Sequence, residues 1–137
     1  MSEASLLQQT MSSPVGWNMS LAAARDAITQ ALNAGDSPLG LPEALLLERG
    51  TLKLYFYEPR GEDKQTPHDQ DEVYVVMRGS GIFAIGENKD SLDRFSVQPG
   101  DVIFTQARAL HRFEDFTDDF GTYVIMYGTK GGETRHA

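Results

Sequence analysis

From residue 44 onward the sequence is cut by Gly, Pro, Asn and Asp into short stretches rich in β-branched and aromatic residues: Ala44–Glu48, Thr51–Glu58, Glu72–Met77, Ser80–Gly86, Ser91–Val97, Asp101–Thr105, Leu110–Asp115 and Gly121–Tyr127. Stretches of this length bounded by turn residues read as strands. Eight of them in succession predict an all-β domain. Closure into a barrel or jelly roll is the economical arrangement, because it protects edges that would otherwise pair with other chains.

The part before residue 44 behaves differently. Leu21, Ala24, Ile28 and Leu32 recur at helical spacing, with Ser20 placed to cap the N-terminus and Gly35 to stop the C-terminus. One amphipathic helix is expected there. Pro38, Gly40 and Pro42 then mark a connection. The expected organisation is a flexible, polar N-terminal arm over 1–18, a helix and connection over 19–43, the barrel over 44–130 and a flexible tail over 131–137. Trp17, the one tryptophan, is expected to be a packing anchor.

Composition narrows the function classes. At 137 residues the chain is long enough to bury one core without staples. A net charge of −8 with scattered Lys and Arg offers no basic stripe, so neither nucleic acid nor an anionic membrane is an expected partner. No stretch approaches the roughly 18 consecutive apolar residues of a membrane span, and Met1–Ser13 lacks the pattern of a secretory leader. There is no cysteine, which removes thiolate metal sites and cysteine nucleophiles and fits a reducing cytoplasm. Any metal chemistry therefore rests on His and carboxylates.

His68 and Glu72 lie where a loop enters the third strand candidate, so both can face one side, and His111 begins a later strand that an antiparallel partner could bring alongside. Two imidazoles and one carboxylate suit a divalent Fe, Mn, Zn or Ni ion. If Glu72 points inward, alternation carries Tyr74 and Val76 inward with it, and His111 inward implies Phe113 inward. On Thr51–Glu58 the alternating sets Leu52, Leu54, Phe56 and Lys53, Tyr55, Tyr57 are equally plausible cavity walls. The acidic runs Asp69/Asp71/Glu72 and Glu114/Asp115/Asp118/Asp119 read mainly as solvated loop ends. Arg108 and Arg112 read mainly as solvent-facing beside Glu114, Asp115, Asp118 and Asp119, with a bidentate clamp on an anionic substrate as the alternative. No phosphate-binding glycine loop and no serine nucleophile elbow is present.

The same residues carry a family resemblance. The stretch from Pro67 to Gly81 resembles the first cupin motif, G(x)5HxH(x)3–4E(x)6G, with His68, Glu72 and Gly79 in register. The stretch from Pro99 to Asp115 resembles the second, G(x)5PxG(x)2H(x)3N, through Gly100 and His111. Thr66 stands where the motif has its first His, Gln106 replaces a Pro, Arg108 a Gly and Asp115 an Asn. The resemblance implies a cupin-type β-barrel holding one divalent ion per chain on His68, Glu72 and His111, with Thr66 or Gln70 available as a weaker oxygen ligand. It also implies a homodimer and a small-molecule ligand. The expected function is a metal-dependent oxygenase or isomerase acting on a small oxygenated metabolite, with Tyr74 or Tyr57 as proton donor. The alternative is a non-catalytic barrel that binds a small molecule or a metal.

Overall fold

The structure is a computed structural model that describes residues 15–37 and 40–133. Most of the expected arm (1–14) and the last residues of the expected tail (134–137) lie outside the described residues.

One helix precedes eight strands. Helix α1 spans Leu21–Ala34; Ser20 caps it by accepting from the Ala23 N–H, and Gly35 ends it in the left-handed conformation. The strands are β1 (Glu43–Arg49), β2 (Leu52–Tyr57), β3 (Asp71–Arg78), β4 (Gly81–Gly86), β5 (Asp93–Val97), β6 (Val102–Thr105), β7 (Leu110–Glu114) and β8 (Gly121–Tyr127). All eight expected strands are present, with no end shifted by more than two residues.

They form two antiparallel sheets, a five-stranded one in the order β1-β2-β8-β3-β6 and a three-stranded one in the order β5-β4-β7. The main core lies between them: Tyr74, Val76, Val124 and Ile103 from the larger sheet meet Phe83, Val97 and Phe113 from the smaller, with Phe120 closing one end. A second core lies on the outer face of the larger sheet. There Ala24, Ala27, Ile28 and Ala31 of α1 pack on Ala44, Leu46 and Phe56, and Trp17 joins as the anchor expected of it.

The two-residue alternation is kept from Glu72 to Met77 on β3. Glu72, Tyr74 and Val76 are buried inward, while Met77 packs on the helix side. On β2, Leu54 and Phe56 face the helix, whereas Tyr55 and Tyr57 face the interior. That resolves which set lines the cavity. A register shift between Leu45 and Leu47 lets β1 bury three residues in a row, Ala44, Leu45 and Leu46.

Two departures from the second cupin motif have a backbone consequence. Arg108, at a motif glycine, has φ +68°, and Asp115, at the motif asparagine, has φ +47°. Both positions demand left-handed backbone, which Asp tolerates and Arg adopts at a cost. Gly79 is constrained doubly: it has φ +69°, and a Cβ there would lie 2.7 Å from the Phe120 Cα.

Candidate metal centre

His68, Glu72 and His111 converge, and each offers a ligand atom within 4.8 Å of the others. Glu72 enters on β3, fully buried. His111 enters on β7 from the opposite sheet, also buried. His68 precedes β3 on a loop tied down by Arg108, whose backbone N–H donates to the His68 carbonyl at 2.6 Å. A third of the His68 side chain remains exposed, so it is the cluster's face toward solvent.

Each histidine is held in a definite way. The Ala109 carbonyl lies 2.9 Å from His111 Nδ1. A carbonyl only accepts, so Nδ1 carries a proton, and in the neutral imidazole Nε2 presents the lone pair. That Nε2 points at Glu72 Oε1 from 3.7 Å and has no hydrogen-bond partner among the described residues. His68 Nδ1 sits 2.7 Å from the same Oε1. Burial pulls the His68 pKa down, but the hydrogen bond and charge of Glu72, helped by Glu43 and Asp63, outweigh it and leave the imidazole raised above its ordinary value.

Behind the cluster runs a buried polar network. The Tyr74 hydroxyl donates to Glu72 Oε2 at 2.8 Å and lies 3.1 Å from Gln65 Oε1. Gln65 Nε2 donates to Asp63 Oδ2 at 2.6 Å, and the Tyr57 hydroxyl donates to Asp63 Oδ1 at 2.5 Å. Burial, then the charge of Glu72, pushes the Tyr74 pKa well up. The Tyr57 phenol is likewise raised by burial and by Asp63. Both tyrosines therefore keep their protons and serve as donors to carboxylates.

Against His68, the one residue of the cluster that lines it, lies a cavity of about 550 Å³ whose wall also includes Lys53, Tyr55, Gln70, Met126 and Lys130. This is within the usual size for a small-molecule site. Lys53 is half-buried on the inward face and makes no ion pair within 4.0 Å among the described residues. Glu43, Glu48 and Asp69 also line the mouth, and Asp69 is paired with Arg108 at 2.7 Å.

The expected site residues thus fall into groups. His68, Glu72, His111 and Tyr74 come together. Tyr57 is inward but reaches Asp63 instead of the cluster. The Gln70 amide is spent on the carbonyls of Thr51 and Gly128, and Thr66 is exposed. Asp71 is not a solvated loop end: it is buried, with one oxygen accepting from Ala107 N–H and the other from Glu133 N–H. Glu133 and Gly131, which bonds the Asp69 carbonyl, lie within the segment expected to be a tail. Arg112 pairs with Glu114 at 2.7 Å, as its solvent-facing assignment required. Asp63, Gln65 and Thr105 drew no attention in the sequence, since a polar loop and a strand threonine carry no local signal.

Two sheets facing across an aromatic core, with a His/Glu/His cluster near one end, make a cupin-type β-barrel fold. Solved structures of the same fold include a cupin domain from Bordetella pertussis, with a TM-score of 0.51 and 12% identity over 64% of this chain and 92% of that one. Hydroxypropylphosphonic acid epoxidase from S. wedmorenis also aligns, with a TM-score of 0.51 and 14% identity over 62% of this chain and 49% of that one. In sequence, the chain is 31% identical to an uncharacterized protein of Streptomyces coelicolor, over 53% of this chain and 65% of that protein. It is 36% identical to acireductone dioxygenase of Drosophila melanogaster over 39% of this chain and 28% of the enzyme, and 39% identical to that of Xenopus laevis over 42% and 30%. The chain thus spans less than two thirds of each of these relatives. No protein-family model matches it. Among the described residues no helix is long and apolar enough to cross a membrane.

Proposed function

We propose that this chain is a metal-dependent cupin enzyme of the dioxygenase type, in which His68, Glu72 and His111 hold one divalent ion beside a cavity that admits a small oxygenated molecule. The observation that carries this is the buried His111 Nε2, which faces the Glu72 carboxylate from 3.7 Å and has no hydrogen-bond partner among the described residues. Leaving a buried acceptor unsatisfied costs about 1–3 kcal/mol, and a divalent cation held by His111 and Glu72 would remove that cost. The likeness to acireductone dioxygenases supports the same reading over the part of the chain it covers. A two-imidazole, one-carboxylate donor set fits Fe, Mn, Zn or Ni and leaves positions free for substrate.

When bound, such an ion polarises substrate oxygens and stabilises developing negative charge on them. The protein's own groups prepare the site for it. The Ala109 carbonyl fixes the His111 tautomer, as second-shell partners of ligating histidines do. Tyr74 orients Glu72 through its hydroxyl; being fully buried and absent from the cavity wall, it is assigned this positioning role instead of proton donation to substrate. Lys53, half-buried and without an ion-pair partner among the described residues, suits an oxyanion on the substrate.

A second reading, a barrel that binds without turnover, is favoured by one observation: Thr66, at the position of the motif's first histidine, is exposed and supplies no donor. Oxygen uptake separates the two. Protein loaded anaerobically with Fe(II), Mn(II) or Ni(II) and given enediol and 2-oxo acid substrates should consume oxygen, and the His111→Ala variant should not. Substrate binding by calorimetry with no oxygen uptake for any ion would favour the binding barrel.

A further inference from the structure

Glu72 stands in a row of directly opposed residues that crosses four strands of the larger sheet: Lys53 on β2 faces Met126 on β8, Met126 faces Glu72 on β3, and Glu72 faces Thr105 on β6. Opposed residues on neighbouring antiparallel strands project from the same face, with Cβ atoms about 4.5–5.5 Å apart. Thr105 therefore projects inward beside Glu72. Its strand agrees, since Ile103 and Thr105 are buried while Val102 and Phe104 are exposed. Thr105 is 1% exposed, yet its Oγ1 has no hydrogen-bond partner among the described residues. Threonine hydroxyls ordinarily find a backbone or side-chain partner when buried. Of the three buried side-chain atoms left unpartnered among the described residues, Thr105 Oγ1 and His111 Nε2 both belong to residues that flank Glu72, and the third is Arg78 Nη1.

The geometry points to Thr105 as the fourth donor of the metal centre, a hydroxyl oxygen taking the place of the histidine that the first motif lacks. This rests on the metal reading above and extends it to the ion's chemistry. Two imidazole nitrogens with a carboxylate and a hydroxyl make a harder set than three imidazoles with a carboxylate. Hard oxygen donors shift preference from Zn(II) toward Mn(II) and Fe(II). The centre should therefore favour the harder ions more than a three-histidine centre does.

Titration calorimetry of the metal-free full chain with Mn(II) and with Zn(II), on wild type, Thr105→Val, Thr105→Ser and His111→Ala, tests this. Valine keeps the shape and removes the oxygen. Thr105→Val should lose about tenfold or more in Mn(II) affinity, the size of effect seen when a supporting group is removed, and less in Zn(II) affinity. Thr105→Ser should keep both. Metal-free Thr105→Val should also melt roughly 3–8 °C higher than wild type, because a buried orphan hydroxyl has been deleted, so its lost Mn(II) affinity would not be a folding defect. The assignment of Thr105 is overturned if Thr105→Val binds both ions as wild type does, or loses both equally, while His111→Ala binds neither. If wild type itself binds neither ion, or His111→Ala binds like wild type, the metal reading falls and the assignment with it.

Discussion

Among the buried carboxylates of this barrel, Asp63 and Glu72 are treated in opposite ways. Asp63 is saturated: Oδ1 accepts from the Tyr57 hydroxyl and the Gln65 N–H, and Oδ2 from Gln65 Nε2 and the Phe113 N–H at 2.8 Å. It joins the loop before β3 to strand β7 of the opposite sheet, and nothing about it invites a further ligand. Among the described residues Glu72 has His68 and Tyr74 as its hydrogen-bond partners, and it is flanked by two residues that each keep one buried polar atom without a partner. A carboxylate has about four acceptor positions. Where N–H and O–H donors fill them, the group is a structural tie. Where they are left open beside other lone pairs, the surroundings are complementary to a cation.

Substitutions should separate the two roles. The largest effect is expected at Asp63→Ala, which strands the Tyr57 hydroxyl and the Phe113 and Gln65 N–H groups; unfolding in urea should reveal a loss of about 3–5 kcal/mol. Little loss there would mean that the loop relaxes and the tie is not structural. Next comes Glu72→Gln, which should weaken Mn(II) binding by more than about 100-fold, beyond what removal of a supporting group costs, while metal-free stability changes by less than about 1 kcal/mol. The contrast breaks if Glu72→Gln unfolds the protein as Asp63→Ala does.

A smaller effect follows from His68. Its folded pKa is raised, so the stability that its pairing with Glu72 contributes is fully present below the ordinary imidazole value and is lost as pH rises through the elevated one. The melting temperature of metal-free wild type should therefore exceed that of His68→Gln most below the ordinary imidazole value of about 6.5, and the gap should narrow as pH rises above it. Metal binding runs the other way, since only neutral imidazole ligates, and weakens as pH falls. A gap that widens with rising pH would contradict the pairing. The smallest effect is expected at Arg108→Gly. Relief of left-handed strain nearly offsets the loss of the exposed Asp69 pair and the added freedom of the unfolded chain, for a net change within about 1 kcal/mol.

What could be read from the sequence followed its two-residue period and its turn residues. Glu72, Tyr74, Val76, His111 and Phe113 all face inward because strand alternation leaves no other choice once one of them is placed. The face of β2 was ambiguous, since both alternating sets contain aromatics, and α1 decided it by covering Leu54 and Phe56. Asp63, Asp71 and Thr105 could not be read locally. Asp63 meets Phe113 across fifty residues and Asp71 meets Glu133 across sixty-two, so their burial is a property of the closed barrel. Thr105 becomes notable only through its register with Glu72. The motif departures were visible from the start, but only the backbone reveals that Arg108 and Asp115 still occupy the left-handed positions that Gly and Asn would fill.

Elemental analysis of untagged protein, purified without chelator, beside His68→Ala and His111→Ala, tests the central claim most directly. About one divalent ion per chain in wild type, lost in both variants while their folds persist by circular dichroism, is the predicted result. Wild type that stays metal-free after reconstitution with Fe(II), Mn(II), Zn(II) and Ni(II), or variants that retain a full complement of metal, would contradict it.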